Sequence, residues 1–253
     1  MNPWFVAIPS FAAGFAGLAA FGAAHPRSQL FGRTVFQTSK PHKLAITFDD
    51  GPNPAITPRL LDLLDRHKAK ASFFLVGKYV RQAPDLTKEI ASRGHLIGNH
   101  TDTHPNLFYC GPGETRAELL RCSEAIGQAT WEEPRWFRPP FGFRSPWLGA
   151  LVQQQRMRTV MWTLLPGDWR PKPTDWLIDR MKPIAEHVQA LPAKNQPQST
   201  GGDILCLHDG DYAHSNADRE RTLASLDYWL PRWRDLGLEF VTMGEMNGKA
   251  VEA

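Results

Sequence analysis

Seven short apolar runs, separated by longer amphipathic stretches, constrain this chain more than any other feature. The runs are Lys43–Phe48, Ala71–Val76, His95–Gly98, Arg135–Arg138, Arg158–Trp162, Asp203–Leu207 and Leu238–Thr242. Between them, Thr57–His67, Asp85–Ser92, Glu114–Gln128, Pro146–Gln155, Asp175–Gln189 and Asp218–Leu236 carry helical spacing, with Gly94 and Gly237 where helices stop. Strands that alternate with helices imply crossover connections and a mainly parallel sheet. Seven such units in 253 residues predict a closed or nearly closed α/β barrel. No tandem repeat is evident, and residues 190–202 read as a surface loop before a strand.

Composition excludes several classes. With 42% hydrophobic and 22% charged residues the chain is neither disordered nor a coiled coil. A net charge of +3 is too mild to argue for nucleic acid, which calls for a concentrated basic face. Three cysteines cannot all pair. Cys110 and Cys122 can bridge or stay free, and Cys206 reads as buried packing.

The first 24 residues stand apart. Residues 3–24 carry no charge, and as a helix they would span roughly 33 Å, about the hydrocarbon thickness of a bilayer. Three readings stay open: an uncleaved membrane anchor, a secretory signal peptide, or an apolar segment packed on the domain. Gly22 and Ala24 suit positions −3 and −1 of a cleavage site, but no Lys or Arg precedes the apolar run. Arg27, Arg33, Lys40 and Lys43 all follow it, which by the positive-inside rule would leave the rest of the chain in the cytoplasm. The organisation read from the sequence is therefore an apolar segment (1–24), a connector (25–42) and the main α/β domain (43–253), membrane-anchored or secreted/periplasmic, with the membrane side open.

In parallel βα architectures, functional residues gather at the C-terminal ends of strands. After the first run comes Thr47-Phe48-Asp49-Asp50-Gly51-Pro52. Adjacent carboxylates there repel unless a metal or a division of roles relieves them. After the third run, His100 and His104 flank Thr101-Asp102-Thr103, and two imidazoles with one carboxylate make a three-ligand set with room for water. After the fourth, Arg138-Pro139-Pro140-Phe141-Gly142 fixes an arginine on a rigid backbone. After the fifth comes Asp168-Trp169, and after the sixth Leu207-His208-Asp209. A histidine at a strand end with an acid beside it is a candidate general acid.

These five segments, TFDDGP at 47–52, HTDTH at 100–104, RPPFG at 138–142, DW at 168–169 and LHD at 207–209, occur in the order of the polysaccharide deacetylase family (the NodB-homology domain, carbohydrate esterase family 4), which the chain resembles over about 43–246. The resemblance implies a distorted (β/α)7 barrel and a hydrolase that removes N-acetyl groups from amino sugars of a glycan such as peptidoglycan or chitooligosaccharide. It implies Asp50, His100 and His104 as ligands of a divalent metal, zinc or another such as cobalt. Asp49 becomes the general base, oriented by Arg138, and His208 the general acid, tuned by Asp168. The Phe141 backbone N–H would face the oxyanion, and Trp169 and Leu207 would line the acetyl pocket. Two departures are visible: Phe141 stands where the family often has Tyr, and Leu164-Leu165-Pro166-Gly167 lacks an acidic residue many relatives carry. The substrate implied is an N-acetylated glycan or glycolipid, with membrane association through residues 3–24 and no nucleic acid. Two alternatives are an enzyme of a lipid-linked amino sugar, removing an acetyl or formyl group, and an inactive glycan-binding module.

Overall fold

The computed structural model describes residues 17–191 and 201–246. All seven predicted strands are present, as β2 (Lys43–Asp49), β3 (Ala71–Leu75), β4 (Leu96–Asn99), β5 (Trp136–Phe137), β6 (Arg158–Val160), β7 (Ile204–His208) and β8 (Glu239–Phe240). An eighth, β1 (Thr34–Val35), precedes them. Every pairing is parallel and the order is β1-β6-β5-β4-β3-β2-β7, with β8 added beside β2. Beyond β6 the chain bridges Leu164 to Leu205 of β7, so the sheet curls toward closure without a continuous ladder. This is the distorted barrel expected.

After residue 24 the α-helices are α1 (Thr57–Arg66), α2 (Gly77–Gln82), α3 (Pro84–Ser92), α4 (Pro112–Thr130), α5 (Leu148–Gln154), α6 (Thr174–Gln189) and α7 (Glu220–Asp235). Six match predicted spans to within a few residues; α2 is a single short turn that periodicity does not register.

The two-residue period of a strand decides which side chains meet. Leu44, Ile46 and Phe48 of β2 join Leu205 and Leu207 of β7 in the core between sheet and helices, against Leu60, Leu61 and Leu64 of α1 and Leu226, Leu230 and Trp233 of α7. Ala45 of β2 and Ile204 of β7 face the other way, into an interior cluster with Phe74, Trp136 and Val160. The polar residues Thr47, Asp49, Cys206 and His208 share that inner face nearer the strand ends.

Residues 25–42 are more than a connector. β1 pairs with β6 in register Thr34↔Thr159, and the buried Arg144 donates to the carbonyls of Ser28 (2.7 Å) and His25 (2.6 Å). The Arg144 amide also donates to the carbonyl of Ala23 at 3.0 Å. Residues 17–24 are helical, with Ala23 buried but Leu18 and Phe21 about half exposed. Among the described residues no helix is long and apolar enough to cross a membrane; residues 3–16 of the uncharged segment and 192–200 of the predicted surface loop lie outside them. Arg144→Ala empties a buried site and removes the donors of two carbonyls. We expect it to cost about 2–3 kcal/mol, read as a lower denaturant midpoint, with earlier proteolysis before residue 36.

Candidate active site

The site is assembled by register. β2 and β7 pair with Asp49 opposite His208, Phe48 opposite Leu207 and Thr47 opposite Cys206. Paired residues of parallel strands present their side chains to the same face. Asp49 and His208 thus come together from positions far apart in sequence. The same register removes Leu207 from the site face: it points with Phe48 into the helix-facing core and is fully buried there. Cys206 occupies the inner face instead, its thiol donating to Asp49 Oδ2 at 3.3 Å. The sequence reading as plain packing missed this, because it did not apply the alternation at the strand end.

Asp49 is held from below. Arg138, buried just past β5, donates to Asp49 Oδ1 at 2.8 Å and to the Thr47 hydroxyl at 2.6 Å. Its guanidinium lies 4.4 Å from the Phe74 ring centre and also donates to the Met161 carbonyl. A buried cation with this many contacts is fixed, as the two following prolines suggested.

Asp50 lies on a left-handed backbone, φ 71°, which breaks the strand alternation that would set it on the face opposite Asp49. Its Oδ1 is 3.4 Å from His100 Nε2 and 3.2 Å from His104 Nε2. One donor atom from each of the three residues falls within 4.8 Å of the others. His104 is also on a left-handed backbone, φ 62°. Its loop is pinned from outside: Glu118 accepts the Asp102 and Thr103 amides, and Arg81 and Arg121 pair with Asp102. Asp102, between the histidines, is therefore a loop anchor facing away from the site.

These three donors fit a divalent cation. Asp50 Oδ1 is buried without a hydrogen-bond partner, and carboxylate oxygen with imidazole nitrogen is a common zinc donor set. His100 Nδ1 meets the Arg138 carbonyl at 2.7 Å; donation there leaves Nε2 bare and aimed at Asp50. Burial, with His100 nearby, pushes the His104 imidazole down to about 4 and so keeps it neutral. Burial alone would raise the Asp50 carboxyl, but the surrounding His100, His208 and His104 outweigh it and hold it well below the usual carboxylate range.

His208 answers to Asp168. Asp168 Oδ1 lies 2.8 Å from His208 Nδ1, while its Oδ2 accepts the His208 amide at 2.8 Å and the Thr222 hydroxyl of α7 at 3.0 Å. Burial alone would lower the imidazole; the Asp168 charge and hydrogen bond, with Asp50 and Asp49 behind them, raise it to about 9. Trp169 packs edge-on against His208 at 5.0 Å and is 42% exposed, so it borders the imidazole on the solvent side. Phe141, φ 56°, turns the backbone after the two prolines. Its half-exposed ring packs on His104 at 4.6 Å. Tyr212 stacks on the same imidazole at 4.8 Å and 14°. No motif marks Tyr212, and none marks Thr222. Asp209 stands behind the site: it is buried, bonded to the Thr57 hydroxyl, and raised by that burial to about 7. A Cβ on Gly51 would lie 2.5 Å from its carboxylate, so the turn after β2 needs glycine.

Of the residues singled out in the sequence, Asp49, Asp50, His100, His104, Arg138, Asp168 and His208 meet at one strand-end face, with Trp169 and Phe141 at its rim. Leu207 does not. Cys110, Cys122 and Cys206 are unpaired and buried.

Comparison with known proteins agrees. The polysaccharide deacetylase family model matches residues 36–160. A peptidoglycan-N-acetylglucosamine deacetylase of Bacillus cereus is 36% identical over 80% of this chain and 87% of its own length. A chitooligosaccharide deacetylase of Bradyrhizobium sp. is 33% identical over 85% and 95%. A solved peptidoglycan N-acetylglucosamine deacetylase superposes with a TM-score of 0.74 at 27% identity, covering 87% of this chain and 95% of that one. Solved neighbours also include a pseudoenzyme from Bacillus anthracis. With five motifs in order, a matching barrel and this extent of identity, the chain belongs to the polysaccharide deacetylase family of carbohydrate hydrolases.

Proposed function

We propose that this chain is a divalent-metal-dependent hydrolase that removes N-acetyl groups from the amino sugars of a glycan, releasing acetate and a free amine. The observation that carries this reading is the register of Asp49 against His208 beside the Asp50, His100 and His104 donors. A cation held by those donors supplies Lewis acidity, polarising the acetamide carbonyl and lowering the pKa of water toward about 7. Asp49 takes the proton of the attacking water, its other oxygen held by Arg138. His208 keeps Nδ1 on Asp168 and presents Nε2 to the departing nitrogen, because an amine leaves only when protonated. The Phe141 backbone N–H faces the oxyanion, and Trp169 covers the acetyl methyl, with Cys206 in the place first given to Leu207. Zinc suits one carboxylate and two imidazoles. A complete acid, base and donor set weighs against an inactive glycan-binding module.

Metal content and acetate release from peptidoglycan fragments, chitooligosaccharides and a lipid-linked amino sugar test this reading. About one divalent ion per chain and acetate from at least one substrate are expected. A metal-free protein that releases no acetate from any of them would sink it. The uncharged stretch that ends at residue 24 favours a substrate met at a membrane. Cell fractionation with a tag at either terminus decides this, and a chain of full length found only in the soluble fraction would contradict it.

A further inference from the structure

A second set of donors adjoins the first. One donor atom each from Asp49, Cys206 and His208 lies within 4.8 Å of the others. Zinc and cobalt bond such atoms at about 2.0–2.3 Å, which places ligands roughly 3.5 Å apart, so a small inward shift closes the set. Because Asp168 occupies His208 Nδ1, Nε2 remains for an ion. A carboxylate partner behind a ligating imidazole is the usual support of a metal-bound histidine. Asp49 Oδ1 is held by Arg138, leaving Oδ2, the oxygen the Cys206 thiol already touches.

We propose that Asp49, Cys206 and His208 form a second, weaker and inhibitory site for a thiophilic divalent cation such as zinc or cobalt. Burial pushes the free thiol up well above its ordinary value, but a coordinated thiol gives up its proton to the metal. Arg138, 3.4 Å from Cys206 Sγ, further stabilises the thiolate. Occupancy blocks turnover because the ion sits on the residues placed above as base and acid; that consequence rests on the proposed function, whereas binding does not. Asp49 Oδ2 is 4.0 Å from His100 Nε2, so two ions repel, and the second binds more weakly than the first.

Cobalt titration of the chelator-treated full chain reads the two sites separately, since a thiolate–cobalt charge-transfer band reports sulfur ligation. The first equivalent is expected to restore activity without that band. Further cobalt should bring the band and the loss of activity together. Cys206→Ser should abolish the band and weaken the inhibitory ion by at least the ~10–100-fold that loss of a mere outer-shell partner costs, judged against that variant's own activity at one equivalent. A wild-type protein that binds one cobalt and shows no thiolate band at any excess overturns the second site and leaves the proposed function standing. A band that rises with the first equivalent overturns this proposal and the Asp50, His100 and His104 assignment together.

Discussion

Asp49→Asn is expected to keep one metal ion per chain and to lower turnover on an acetamide by roughly 10²–10⁴-fold, the usual worth of a positioned base. Asp49 is outside the Asp50, His100 and His104 donor set; its Oδ2 lies 4.0 Å from His100 Nε2. Asparagine fills the same volume and its carbonyl oxygen still accepts from Arg138, but it cannot take a proton. The buried guanidinium is then left without its counter-charge, at a cost of about 3–5 kcal/mol. The assay therefore belongs well below the variant's unfolding transition. His100→Ala differs in kind: it removes a donor, and metal and activity should disappear together. Metal analysis beside acetate release separates the two. Near-full turnover in Asp49→Asn would refute its role as base, and loss of metal there would make Asp49 a ligand.

How far the sequence foretold this site follows from how local each contact is. Asp49, Asp50, His100 and His104 were legible because strand ends in parallel sheets collect chemistry and each motif is contiguous. Their backbones were not. The left-handed turns at Asp50 and His104 bring Asp50 to the same imidazole that Asp49 approaches and the two imidazoles together, and no spacing rule for a regular helix or strand encodes that. Leu207 was misplaced by one residue of a two-residue period, which is enough to move a side chain from the site to the core. Arg144 and β1 were invisible because their partners lie over a hundred residues away. Tyr212 and Thr222 reach the site from the loop and helix after β7, which tertiary packing alone brings back over it. Only one turn of helix separates β3 from α3 at Gly77–Gln82, too short to declare an amphipathic period.

The acid arm leads to the second large effect. His208 in the folded protein holds its proton up to about pH 9, so the donor form is present below that pH and is lost as pH rises through it. Activity should therefore fall on the alkaline side, near pH 9 or somewhat lower once a bound cation offsets the Asp49 and Asp50 charges. The Asp168 pair carries most of the shift: burial opposes it, and Asp50 and Asp49 add to it. Asp168→Asn is accordingly expected to move the alkaline limb down by ~2 pH units and to cost ~10²-fold at neutral pH. A general structural weakening would lower the amplitude without moving the limb, so an unmoved limb would contradict the assignment. His208→Ala makes the sharper cut. An acetamide needs a proton delivered to its nitrogen, whereas an aryl acetate expels a stable phenolate unaided. The variant should lose ~10²–10⁴-fold on the acetamide and much less on the ester. Equal losses on both would show that His208 serves attack on the carbonyl and not departure of the amine.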